Sequence, residues 1–218
     1  MVMGQFIGSL RPRLKEIRAN PSQRRMLDRA FTESFAVFAR EIHRDTLNDR
    51  LYTHEGALLV EAVQFYGSPS YQRQAIDAFH KAIELSPHRI QQRLLLARIY
   101  TGARDYERAL VVLSDAVRSD PELGEPRYGL AQAYIGAGRS DSALAMLQSS
   151  LRLGYVGAPE TYLSMGKRLE FSGRSAEAAK LYAAYLEAKY TKAVWDRIAR
   201  NSLLPCASVR ASRWPDSV

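Results

Sequence analysis

The residues able to do chemistry in this chain are few, and their spacing does not assemble them. Gly136-Ala137-Gly138 begins like a dinucleotide fingerprint, but Asp141 stands where the third glycine belongs and the preceding segment has the pattern of a helix rather than a strand. His54-Glu55 opens like a metalloprotease motif, yet the position four beyond His54 is Leu58, so no pair of imidazoles shares a helix face. His43, His80 and His88 lack metal-ligand spacing. The lone Cys206 has neither a disulfide partner nor a nearby histidine to activate it. Neither a Gly-x-Ser-x-Gly elbow nor a phosphate-loop lysine is present. The paired carboxylates Asp105/Glu107 and Glu122/Glu125 read as charges at helix starts, where the dipole favours them. The expectation is a protein without catalytic activity, metal or cofactor.

Composition places those residues in a folded chain. Of 218 residues, 46% are hydrophobic and 25% charged, and no apolar run approaches a bilayer's thickness. The first ten residues do not form a secretory signal, which makes the cytoplasm the expected compartment. The net charge of +8 suggests an acidic partner, but its distribution argues otherwise. Residues 1–50 hold ten Lys or Arg against six acids and residues 191–218 hold five against two, whereas residues 51–190 hold sixteen against fifteen. Phosphate binding needs basic side chains along the binding face, so the near-neutral middle disfavours nucleic acid.

That middle repeats. Ala75, Ala109 and Ala143 are spaced by 34, with Ala178 one residue late, and Tyr66, Tyr100 and Tyr134 keep the same beat, with Leu169 in the fourth place. Four residues past the alanines come Phe79, Leu113, Leu147 and Tyr182; seven past come Ala82, Ala116, Ser150 and Tyr185. Spacings of three and four put these on one helix stripe, with small residues admitting a neighbouring helix. Pro87 and Pro121 close the first two units. Thr101-Gly102-Ala103-Arg104-Asp105, Gly136-Ala137-Gly138-Arg139-Ser140 and Ser172-Gly173-Arg174-Ser175 each offer a glycine to end one helix and a Ser or Asp to cap the next.

These residues resemble the tetratricopeptide repeat family, whose 34-residue unit is a pair of antiparallel helices. With units set at about 56–89, 90–123, 124–158 and 159–190, the seventh positions are Ala62, Leu96, Leu130 and Met165, and the eighth, where the family wants a small residue, are Val63, Ala97, Ala131 and Gly166. The resemblance implies an all-α, right-handed superhelix of about four helix-turn-helix repeats with flanking capping helices. Around it, residues 1–21 read as weakly structured and 22–55 as an amphipathic capping helix and linker, with Met26, Leu27, Ala30, Phe31, Phe35, Phe38 and Ile42 on helical spacing. Residues 191–204 read as a C-terminal capping helix and 205–218 as a disordered tail.

The resemblance also implies a site, because in this family the first helix of each unit lines a concave groove. Its second, fifth and ninth positions are Ala57, Val60 and Gln64; Gln91, Leu94 and Arg98; Glu125, Tyr128 and Gln132; Glu160, Leu163 and Lys167. The set suits a peptide or protein segment held by hydrogen bonds around one aromatic anchor, Tyr128, and implies a non-enzymatic scaffold or adaptor. Family members that clamp a terminal carboxylate carry Lys and Asn at set groove positions; here those positions hold Val, Gln, Leu and Glu. An alternative comes from Ala82-Ile83-Glu84-Leu85-Ser86-Pro87 and Leu151-Arg152-Leu153-Gly154-Tyr155, which resemble the repeat tails of bacterial O-antigen ligase type membrane proteins. That reading implies a membrane-protein complex and a periplasmic location.

Overall fold

The computed structural model of the chain describes residues 14–201, all of whose regular elements are helices. They form an all-α, tetratricopeptide-like solenoid and divide into two compact units, residues 1–155 and 156–218.

In the first unit, the short α1 (Leu14–Ala19) leads into α2 (Pro21–Arg44). The start of α2 is dictated locally: Pro21 fits the first turn, and Asn20 Oδ1 accepts from the Ser22 and Gln23 amides at 3.0 and 3.3 Å. Three helix pairs follow: α3 (Asp49–Tyr66) with α4 (Pro69–Leu85), α5 (Ile90–Gly102) with α6 (Tyr106–Ser119), and α7 (Gly124–Gly136) with α8 (Ser140–Arg152). The 34-residue beat is the packing itself. Ala75, Ala109 and Ala143 are completely buried, as are Phe79, Leu147, Ala82, Ala116 and Ser150, with Leu113 at 2% exposure. Burying each large apolar side chain contributes about 1.5–3 kcal/mol, and the alanines let the helices approach closely enough to achieve it.

Several boundaries differ from the sequence expectation, each for a local reason. The first repeat helix starts at Asp49 rather than near residue 56, because Asn48 caps it by accepting from the Arg50 amide at 3.2 Å. Residues 14–19 are helical rather than weakly structured, and Ile17 is buried with Leu27, Phe31, Leu58, Ala62 and Phe65. Phe31 stacks on Phe35 at 6.0 Å and meets Tyr66 at 5.5 Å, so α2 lies directly on the first repeat pair. The Tyr66 hydroxyl donates to Asp28 Oδ1 at 2.6 Å across that contact. Burial first, and then the Asp28 carboxylate, raises the Tyr66 phenol well above its ordinary range.

The turns also depart from the simple pattern. Gly102 lies inside the end of α5, and the left-handed residue in that turn is Arg104, at φ 60. Gly138 fills the equivalent place after α7 at φ 77. Asp105 does cap α6, its Oδ1 accepting from the Arg108 amide at 3.3 Å, whereas Ser140 is the first residue of α8 rather than its cap.

The second unit contains α9 (Pro159–Phe171) and α10 (Ser175–Asn201). Ala178, Leu181, Tyr162, Met165 and Leu169 form its core, each at 1% exposure or less. Tyr182 is half-buried, and its ring lies where a Cβ on Gly166 would stand. The expected separate capping helix at 191–204 is instead a continuation of α10, since no glycine or proline interrupts residues 175–201. The expected tail at 205–218 lies outside the described residues. Among the described residues, no helix is long and apolar enough to cross a membrane.

Candidate functional site

Helices α5 and α7 are the first helices of consecutive repeats, and their repeat-facing residues meet in one pocket of about 130 Å³. Leu94, Ala97 and Leu113 supply its apolar floor, and Arg98, Glu125, Tyr128, Gln132, Thr101 and Tyr155 its polar wall. Gly129 keeps the floor open, since a Cβ there would come within 2.8 Å of Leu113 Cδ2.

The pocket is electrically organised. Arg98 Nη2 donates to Glu125 Oε1 at 3.2 Å, joining α5 to α7 through a pair in which the arginine side chain is 65% exposed and the carboxylate 27%. An ion pair as open as this contributes little to folding, which leaves its charges available for recognition. The Tyr128 and Tyr155 rings lie 5.5 Å apart, and the Gln132 amide donates to the Tyr128 hydroxyl at 3.3 Å. Burial, followed by the Glu125 carboxylate, raises the Tyr155 phenol above its ordinary range, with Arg98 opposing the rise.

Tyr155 arrives from the turn after α8. Its amide donates to the Ser150 carbonyl at 3.0 Å, and Ser150 Oγ donates back to the Tyr155 carbonyl at 3.1 Å. That turn presses on the start of α7, where a Cβ on residue 124 would stand 2.6 Å from Tyr155 Cβ. Gly124 is therefore the residue that lets Tyr155 reach the pocket.

The residues expected to line a groove are distributed unevenly. Leu94, Arg98, Glu125, Tyr128 and Gln132 come together in this pocket. Gln64 lies with Val60, Val63, Gln72 and Ile99 in a second depression of about 240 Å³, and Arg98 borders both. Gln91 is exposed on the first turn of α5, while Glu160, Leu163 and Lys167 form part of the exposed face of α9 in the second unit. Tyr128 and Leu94 are not free anchors, because only 7% and 4% of their surfaces are exposed. They shape the pocket from within the core.

Sequence reasoning missed Tyr155 and Gln92. Tyr155 occupies the repeat position that holds Pro87 and Pro121 in the preceding units, and that replacement was a readable signal. Gln92 gave none: it is 2% exposed, and its Nε2 donates to Asp49 Oδ2 at 3.2 Å and to Thr53 Oγ1 at 3.3 Å, tying the second repeat to the first. Arg89 completes that cluster by pairing with Asp49 at 3.3 Å.

The pocket's titratable members are an arginine, a glutamate and two tyrosines, with no histidine or cysteine to serve as base or nucleophile.

Comparison with known proteins agrees with the repeat. A family model described as tetratricopeptide repeat matches residues 73–122 and again 101–153, the stretch from α4 through α8 that carries the pocket. Solved structures of similar fold include a crystal structure of MamA, 18% identical, with a TM-score of 0.61 over 80% of this chain and 98% of that one. A second MamA crystal structure is 16% identical, with a TM-score of 0.60 over 93% of this chain and 98% of that one. The MamA 41-end structure from Desulfovibrio magneticus RS-1 is 15% identical, with a TM-score of 0.59 over 88% and 97%. At such identities the likeness is one of fold. No curated protein matches the chain, and the resemblance to O-antigen ligase tails gains no support from these matches.

Proposed function

We propose that this protein is a non-enzymatic interaction scaffold that holds a peptide or protein segment along the α5–α7 face. The pocket bounded by Arg98, Glu125, Tyr128, Gln132 and Tyr155 carries the reading. It joins an apolar floor large enough for one aliphatic side chain to a rim of hydrogen-bond donors and one carboxylate, which is how extended chains are recognised with specificity. The neighbouring depression containing Gln64 shares Arg98, giving a segment a second place to seat a side chain. Gln91 belongs to the same proposal as an exposed polar position on α5.

The test is selection of a displayed peptide library on the purified protein, followed by affinity measurements with Arg98→Glu and Gln132→Ala. Both residues are exposed, so neither change should disturb folding. Selected peptides should lose at least about tenfold in affinity to Arg98→Glu, in keeping with a charged contact at a recognition site. Peptides that bind both variants as well as the parent would place recognition elsewhere.

A further inference from the structure

The two depressions beside Arg98 are one site met twice. Val60, Val63 and Gln64 of α3 with Arg98 of α5 bound the larger, and Leu94, Ala97 and Arg98 of α5 with Gln132 of α7 bound the smaller. Each residue of the second set stands 34 after its counterpart in the first. One repeat position therefore supplies Gln64, Arg98 and Gln132, an exposed row with a hydrogen-bonding head on each first helix.

Spacing and charge limit what can lie across that row. Helices α3, α5 and α7 touch in turn. Packed helices lie about 8–10 Å apart, so equivalent depressions are separated by about that distance. A polyproline-II chain returns a side chain to the same face every third residue, about 9.3 Å on. A pleated strand does so every second residue, at about 6.6 Å, or every fourth, at about 13 Å, and neither step matches. Among the described residues, the only charged side chains lining either depression are Arg98 and Glu125, which pair at 3.2 Å. What a ligand charge gains from one member of that pair it loses to the other, so the site favours an uncharged occupant. Arg98 gives Nη2 to Glu125 and keeps other guanidinium donors for main-chain carbonyls.

We infer that this face takes an uncharged segment in polyproline-II conformation, with two apolar side chains three residues apart, one in each depression, and a carbonyl between them held by Arg98. The inference rests on the reading of the face as a peptide-binding surface and names the class of peptide.

Random peptides displayed and selected on the full chain test it, with each binder scanned by alanine and measured again on Gly102→Leu. Gly102 borders the larger depression, is exposed, and a Cβ added there meets nothing within 4 Å, so leucine fills the depression without a clash and circular dichroism should not change. Binders should carry two apolar residues with two uncharged residues between them. Alanine at either apolar position should cost at least about tenfold in affinity, as the loss of one buried side chain does. Gly102→Leu should cost a similar factor and abolish the alanine effect at one of the two positions. Raising the salt from about 0.05 M to about 0.5 M should change affinity by less than about twofold. The scan and the salt dependence use the parent protein and decide the matter even if Gly102→Leu does not fold. Binders that weaken with Arg98→Glu yet are charged, salt-sensitive, differently spaced or indifferent to a folded Gly102→Leu overturn this inference and leave the scaffold reading standing. An empty selection, or binders indifferent to both Arg98→Glu and Gln132→Ala, overturns both.

Discussion

Gly124→Ala should loosen the fold and the pocket together, because a single methyl group enters the contact that positions Tyr155. The added Cβ would lie 2.6 Å from Tyr155 Cβ, 3.0 Å from the Ser150 carbonyl oxygen and 3.3 Å from Leu153 Cβ. Two of these neighbours are Cβ atoms fixed to the backbone and the third is backbone, so no side chain can swing aside and the turn after α8 must move. Overpacking of this kind costs about 1–3 kcal/mol. Alanine's better helix propensity offsets up to about 1 kcal/mol, less at the first residue of a helix, where Gly124 stands. A net loss of about 1–2 kcal/mol remains, which in a chain of this size lowers the melting temperature by roughly 2–8 °C. Thermal melting by circular dichroism measures it. Gly129→Ala is the control: its added Cβ meets Leu113 Cδ2, the end of a side chain that can rotate away, so its effect should be smaller. The displaced Tyr155 should also titrate closer to an ordinary tyrosine in Gly124→Ala, since burial is the main cause of its raised pKa. A Gly124→Ala protein that melts at or above the parent temperature would refute the account of how Tyr155 is held.

Three further outcomes follow from the same packing. Ala109→Leu, at a completely buried position, should cost about 1–3 kcal/mol, and an unchanged melting temperature would show the repeat register to be displaced. Arg104→Gly should raise stability by about 0.5–1 kcal/mol, because a left-handed residue at φ 60 is strained for arginine and not for glycine; a lower melting temperature would contradict this. Tyr66→Phe should lose about 1–2 kcal/mol at neutral pH with the hydrogen bond to Asp28. Because folding raises the Tyr66 pKa above its ordinary 10.0, the associated stability is complete below that value and is lost as pH climbs beyond it. Denaturant titrations at alkaline pH should therefore show a shallower decline in Tyr66→Phe, and parallel curves would remove Tyr66 as a source of the pH dependence.

The fold was legible because its main determinants are periodic. A beat of 34 residues that places alanines among large apolar side chains leaves few other ways to bury both, and the residues that the beat marks in α4, α6 and α8 are buried. Where an end is set by one local hydrogen bond, the periodicity carried no information. Asn48 starts α3 seven residues ahead of the repeat register, and its capping bond does not recur in the other units. In α10 the failure was the reverse: a boundary was expected after the repeat, but a helix without a breaking residue continues.

The candidate site was legible in part, and the division follows the same physics. Arg98, Glu125, Tyr128 and Gln132 line one pocket because position within a repeat fixes direction, so equivalent residues in α5 and α7 converge. What position cannot give is depth. Tyr128 and Leu94 point as expected yet lie in the core, because α7 approaches closely over Gly129 and Ala97. Tyr155 enters through the irregular connection after α8, where the repeat loses its proline and a glycine 31 residues upstream, Gly124, makes the room. A repeat array gives its constant residues to holding the fold, so specificity falls to positions where the pattern is broken. Here the clearest break within the stretch that matches the family model, or at its edge, is Tyr155, and it stands in the wall of the pocket.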